Sequence, residues 1–248
     1  MKKILFILVC LLLLLPNIAS ANESNIDTDN DGLFDIDEIN TYYTDPQNPD
    51  TDGDGYSDGL EIEHHYSPLH DNATKLVDAD SDNDGLNDRW ELILETDLKN
   101  ADSDQDGYSD WTEVYNGYNP KNSAPQKLDK IIEVDLKQQI LRYTFDGKII
   151  DQFHISGGVE SMPTPEGDFA IIQKVPSKNY GGSGYNFSYP NTKWNLHFTT
   201  DYWRYYIHGA YWHSNFGQPM SHGCVNVAYH NMENLYNWTN VNTKVLIY

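Results

Sequence analysis

Ser221-His222-Gly223-Cys224-Val225-Asn226, preceded by Tyr205-Tyr206-Ile207-His208-Gly209, gathers one thiol, two imidazoles and two glycines into a short span. The only other cysteine of the chain is Cys10, inside an N-terminal apolar run. A lone cysteine beside a histidine reads as a nucleophile, because a thiol attacks poorly until a neighbouring base removes its proton. His222 and Cys224 are two residues apart and so share one side of an extended segment. Gly223 between them permits close backbone approach. The amides of Gly223 and Cys224 are candidate oxyanion donors, and His208 is a second imidazole available to line the pocket.

Two blander readings compete. A buried structural cysteine is the ordinary fate of a lone thiol. His208, His213, His222 and Cys224 also form a nominal zinc set, although their spacing fits no familiar zinc pattern. A papain-like arrangement is disfavoured, since there the cysteine precedes the histidine.

Around this stretch the second half of the chain alternates in short runs. Residues 131–136, 139–143, 148–153, 169–175, 194–198, 205–208 and 243–248 read as strands, with Asp146-Gly147 as a hairpin turn. Only 228–238 looks helical. The expectation is a mainly β fold, a C-terminal β-sandwich or barrel-like domain over 129–248 with one short helix. Tyr202, Trp203, Tyr205, Tyr206, Tyr211 and Trp212 divide between its core and a groove for a peptide or glycan strand.

The first half is different. Residues 22–126 hold 28 acidic and four basic side chains, whereas 127–248 hold ten of each. So abrupt a change marks two units, and neither has the basic patch that nucleic-acid binding requires. The acidic half is a repeat: Asp27-x-Asp29-x-Asp31-Gly32-x-x-Asp35-x-x-Glu38 recurs as Asp50, Asp52, Asp54, Asp58 and Glu61. It recurs again as Asp80, Asp82, Asp84, Asp88 and Glu91, and as Asp102, Asp104, Asp106, Asp110 and Glu113. Oxygen donors at loop positions 1, 3, 5, 9 and 12 with glycine at 6 match the calcium-loop template. Five carboxylates within twelve residues repel one another, and a hard divalent cation is the natural counter-charge. With connectors such as Tyr43-Thr44-Asp45-Pro46-Gln47-Asn48-Pro49, residues 22–122 resemble bacterial thrombospondin type 3-like calcium repeats. The resemblance implies a loop-helix array ordered by Ca2+, acting as a spacer or adhesive stalk, and apolar residues are too few there for a core of its own.

Lys2 and Lys3, the apolar run 4–15 and Ala19-Ser20-Ala21 give residues 1–21 the pattern of a secretory signal peptide, too short to span a bilayer. An exported protein in the periplasm, cell envelope or medium is expected, with no stable membrane insertion after cleavage. Residues 123–128 form a linker.

The segment from His208 to Asn226 is similar to the active-site signature of L,D-transpeptidase catalytic domains, the YkuD family. Val134-Asp135-Leu136, Ser156-Gly157-Gly158, Thr164-Pro165-Glu166-Gly167 and Leu235-Tyr236-Asn237-Trp238-Thr239 support the resemblance, which covers 129–248. Asn226 stands where many members carry arginine. The resemblance implies Cys224 as nucleophile, His222 as its general base, Ser221 orienting that histidine through its carbonyl, and His208, Gly209 and Asn226 completing the pocket as substrate-binding residues. It implies peptidoglycan stem peptides as substrate: the terminal D-alanine leaves, a thioester forms, and an amine from a second stem or from an anchored protein resolves it. Calcium is then structural, and catalysis needs no cofactor. The alternatives are an L,D-carboxypeptidase, with water as acceptor, and a non-catalytic calcium-dependent adhesion protein.

Overall fold

The computed structural model describes residues 25–181, 187–199 and 204–248. Residues 1–21, read from the sequence as a signal peptide, and Tyr202 and Trp203 lie outside them. No helix among the described residues is long and apolar enough to cross a membrane.

The C-terminal half is a nine-stranded sheet. Its strands are β1 (Lys130–Asp135), β2 (Ile140–Phe145), β3 (Lys148–Ser156), β4 (Gly167–Ala170), β5 (Gln173–Gly181), β6 (Ser188–His197), β7 (Tyr206–Ala210), β8 (Val225–Ala228) and β9 (Lys244–Ile247). Spatial order is β4-β9-β1-β2-β3-β8-β7-β6-β5. Asp146 and Gly147 both have positive φ (49° and 77°), the conformation a two-residue hairpin turn needs.

The edge strands β4 and β5 are consecutive in the chain and separated only by Ile171 and Ile172. Ile171 N–H donates to Thr243 O beside β9, and Ile172 N–H donates to His197 O of β6. The two edges therefore meet, and the sheet folds over so that both halves face one core. That core joins Ile132, Val134, Leu141 and Tyr143 of one half to Leu196, Ile207, Val225 and Val227 of the other. The helix α5 (Tyr229–Trp238) contributes Met232, Leu235 and Trp238. Phe169 and Phe198 cross the fold edge-on, with centroids 5.3 Å apart. The single strand read over 169–175 is thus two strands, broken where the chain passes from one edge to the other.

In the acidic half each loop runs into a short helix: α1 (Asp35–Asp37), continued by a π-helical turn over Glu38–Tyr42, α2 (Asp58–Glu63), α3 (Asp88–Leu94) and α4 (Asp110–Asn116). The repeats associate in pairs. Asp31 of the first loop accepts from Gly59 N–H of α2 at 2.9 Å, and Asp84 of the third accepts from Trp111 N–H of α4 at 2.7 Å. A side chain at Gly59 would collide with Asp31 O, 2.3 Å from the Cβ position. The first pair exposes Phe34, Ile36, Ile39, Tyr56 and Leu60.

The second pair does not stand apart as a spacer. Leu86, Trp90, Leu94 and Val114 belong to the same continuous core as Tyr143, Ile150 and Trp238. Arg89 donates to Ile150 O at 3.1 Å, and Lys148 to Ile93 O at 2.9 Å. The buried Lys130 ammonium joins two helix C-termini, donating to Tyr115 O of α4 (2.9 Å) and Trp238 O of α5 (2.7 Å), where the helix dipoles favour a cation. Nor is the expected linker free: Leu128 N–H donates to Gly117 O and Asn119 N–H to Gln126 O, folding 117–128 back on itself.

Candidate functional site

Cys224 is the residue immediately before β8, and His208 lies in β7. These strands are a parallel pair, with Ile207 opposite Val225 and His208 opposite Asn226. The sheet register alone therefore brings the two segments of the signature side by side. A narrow cavity of about 70 Å³ forms over them, reached by Cys224, His208, His222, Ser221 and Asn226. Aromatic rings wall it, among them Tyr180, Tyr189 and Trp212, the last two stacked at 3.8 Å. Trp212 thus belongs to the groove while Tyr206 is buried and Tyr211 is exposed, as the mixed reading of the aromatics allowed.

The turn before Cys224 is built with little freedom. Ser221 Oγ donates to Cys224 O and accepts from Gly223 N–H at 3.2 Å. Gly157 O accepts from both Met220 N–H and Ser221 N–H, each at 3.0 Å, and Val159 N–H donates to Ser221 O. Gly157 N–H is held by Gln139 Oε1 at 2.6 Å, and Gly158 N–H by Thr164 Oγ1 at 2.8 Å. The motifs around Gly157 and Thr164 are therefore the cradle of the cysteine turn. Gly223 has φ +105°, and a Cβ there would lie 2.3 Å from the Tyr205 ring, so no other residue fits. Gly209 is equally constrained, since its Cβ would meet the Tyr229 ring at 2.5 Å.

The two histidines differ from the expected roles. His222, assigned as base, is exposed; its ring stacks on Phe187 with centroids 4.8 Å apart and makes no hydrogen bond to Cys224. His208, assigned to substrate binding, is buried, and its Nδ1 lies 2.9 Å from Gly209 O. Because a carbonyl can only accept, Nδ1 carries the proton and Nε2 keeps its lone pair. Tyr180 stacks on the His208 ring at 4.5 Å and is itself fixed by a 2.8 Å bond from its hydroxyl to Asn195 Oδ1. Ser221 orients no histidine: its carbonyl is taken by Val159, and its hydroxyl locks the cysteine turn. The amide of Gly223 is occupied by Ser221 Oγ, which removes it from the expected oxyanion donors. Asn226 is buried with its Nδ2 donating to His213 Nε2 at 3.1 Å; His213 therefore orders Asn226 and joins no set of thiol and imidazole ligands.

Electrostatics fit a neutral resting pair. Burial pushes the Cys224 thiol up to about 11, against a backbone hydrogen bond with Tyr206 and the Lys178 charge, which pull it down. Burial lowers His208 to about 4, opposed by its Gly209 hydrogen bond. Both shifts favour the neutral thiol and the neutral imidazole.

The acidic loops show the opposite condition. In each, carboxylate oxygens from positions 1, 3 and 5 come within 4.8 Å of one another, as in Asp27, Asp29 and Asp31 or Asp80, Asp82 and Asp84. The glutamates at position 12 are buried, and Glu61 and Glu91 have no hydrogen bond to either carboxylate oxygen. Burial and then the like charges of the loop raise Glu61 to about 8 and Glu91 to about 10; Glu113 is raised to about 7. Glu38 also reaches about 7 through burial, although the Thr44 hydroxyl opposes it. Buried carboxylates without partners, beside three more carboxylates, are what an oxygen-seeking cation would satisfy. Position 9 does otherwise. Asp35, Asp58, Asp88 and Asp110 each spend both oxygens on the N–H and hydroxyl of the Thr or Ser at position 2. They close the loop through these bonds.

Residues 129–247 match the model of the L,D-transpeptidase catalytic domain, and 27–49, 50–65, 80–97 and 102–123 match the bacterial TSP3 repeat. No curated protein matches the chain. Among solved structures, an L,D-transpeptidase from Mycobacterium smegmatis is 21% identical, over 49% of this chain and 59% of that one, with TM-score 0.46. The catalytic domain of an Enterococcus faecium L,D-transpeptidase is 29% identical, over 48% of this chain and 97% of that one, with TM-score 0.43. The chain spans less than two thirds of the mycobacterial protein's length. With the cysteine turn, the paired strands and the four acidic loops in these positions, the chain carries an L,D-transpeptidase (YkuD) catalytic domain over residues 129–247, preceded by bacterial TSP3 repeats.

Proposed function

We propose that this protein is an exported cysteine acyltransferase that cross-links peptidoglycan, or attaches a partner to it, through a thioester on Cys224. The observation that carries the reading is the shared cavity of Cys224 and His208, with the His208 tautomer set by Gly209 O. Sγ attacks the carbonyl of the third residue of a tetrapeptide stem while His208 Nε2 takes the thiol proton. The Cys224 amide faces the developing oxyanion. The same imidazolium gives its proton to the departing amine of the terminal D-alanine, leaving the acyl-enzyme. An amine of a second stem then attacks the thioester, His208 accepts its proton, and Sγ leaves as the thiol. His222 and Asn226 border the path of the stem.

Each acidic loop would hold one Ca2+ through its aspartates at positions 1, 3 and 5 and the glutamate at position 12, and the ion supplies counter-charge and order. On this reading 1–21 is a cleaved signal peptide, 22–122 the calcium array, 123–128 the junction and 129–248 the catalytic unit.

Incubation of the protein with tetrapeptide-stem muropeptides, read by mass spectrometry, tests the function. Cross-linked dimers with release of D-alanine are the expected products; tripeptide stems alone would show water as the acceptor, and unchanged substrate would refute the enzyme.

A further inference from the structure

A second cleft, of about 470 Å³, lies where the docked repeats meet the β domain, and it shares no lining residue with the Cys224 cavity. One wall is a row of rings: Trp90 and Trp111 have centroids 6.1 Å apart, and Trp111 and Tyr115 5.7 Å apart. Trp111 and Tyr115 are only partly buried. The facing wall is α5, which presents Asn234 and Asn237 from one side of the helix.

The chemistry of this lining is selective. The side-chain amides of Asn234 and Asn237 make no hydrogen bond among the described residues. Asn87 uses its Oδ1 to cap α3 at Trp90 N–H, 3.1 Å away, so that its two amide hydrogens are left over. Trp90 is 3% exposed, and its indole N–H has no partner. Lys174 is already committed to Thr239 O and to the ring of Tyr236, 4.5 Å from its centroid. No carboxylate lines the cleft.

A cation finds no counter-charge here, an anion finds only an engaged lysine, and a purely apolar ligand would strand the amides. Aromatic rings beside amide donors and acceptors suit an uncharged polyhydroxylated ring, whose C–H face stacks and whose hydroxyls hydrogen-bond. The volume falls in the usual range for small-molecule sites, about 300–1,000 Å³. We propose that this cleft binds the sugar rings of a glycan chain, holding the glycan while Cys224 works on the attached peptide. The choice of an N-acetylated wall glycan rests on the function proposed above; the sugar-binding chemistry of the cleft does not.

The test is titration of the full chain, in calcium-containing buffer, with chitotetraose and with wall glycan strands stripped of their peptides, followed by tryptophan fluorescence and calorimetry. Saturable binding is expected, weakened about tenfold by Trp111→Ala and several-fold by the exposed Asn237→Ala. Absence of a saturable change at millimolar sugar, or binding that both variants leave intact, overturns the proposal. Acylation of Cys224 by a carbapenem, measured on the same samples, reports the catalytic site separately. Intact acylation with no sugar binding would therefore sink the cleft proposal alone.

Discussion

The acidic half and the β half both take ionisable groups out of water, and they settle the cost in opposite ways. In the Cys224 cavity the buried histidine is satisfied from within: Gly209 O fixes its proton, Tyr180 covers its face, and burial shifts both it and the thiol toward their uncharged forms. In the loops the buried glutamates find no partner and are crowded by aspartates. The first arrangement is paired from within, as the proposed chemistry needs; the second leaves unpaired oxygens that the proposed Ca2+ would satisfy. A buried polar group thus says what a site is for by whether the chain itself pairs it.

The comparison is most easily broken at the histidines. His208→Gln should lower the rate of Cys224 acylation by about 10²–10⁴-fold, the usual loss of a general base, whereas His222→Gln should cost less than about tenfold. Because His208 stays neutral until the pH falls to about 4, wild-type acylation should persist through mildly acidic pH and fail only near that value. Stopped-flow acylation kinetics of both variants across pH check this; equal losses at the two positions would erase the distinction drawn between them.

The next effect is on stability. Removing calcium with a chelator should lower the melting temperature of the whole chain, catalytic domain included, because Leu86, Trp90, Leu94 and Val114 share its core. For dissociation constants of about 10⁻⁴–10⁻³ M, each site contributes about 1.4–2.7 kcal/mol at 10 mM calcium. Calorimetry that finds the β-domain transition unmoved by chelator would show the docking to be inert.

A smaller difference separates the repeat pairs. Glu91→Ala, in the docked pair, should lower the β-domain melting temperature by about 3–10 °C in calcium. Glu38→Ala, in the exposed pair, should leave that transition in place and reduce only the calcium stoichiometry. Scanning calorimetry with calcium titration reads both.

Much of this was legible in the sequence. The loop spacing, the change of charge, most of the strands and α5 follow from residue types alone. What escaped was set by distance along the chain. β5 is largely polar and exposed, so it carries no apolar signal, and Tyr180 within it gave no hint that it would cover His208. Adjacency in sequence favoured His222 as base; the parallel pairing of β7 with β8 brings His208 into the Cys224 cavity, which is why the role is proposed for it. Position 9 of the loops matches the ligand template by residue type, and residue type gives no hint that its oxygens also accept from the Thr or Ser at position 2. Trp90 looked like one of too few apolar residues because its partners, Tyr143 among them, belong to the other half.

The most direct test of the account is the intact mass of the protein after exposure to a carbapenem. One covalent adduct is expected, mapped by peptide mass to Cys224, and none on Cys224→Ala. No adduct on the wild-type protein, or an undiminished one on Cys224→Ala, would contradict the assignment of this sulfur as the nucleophile.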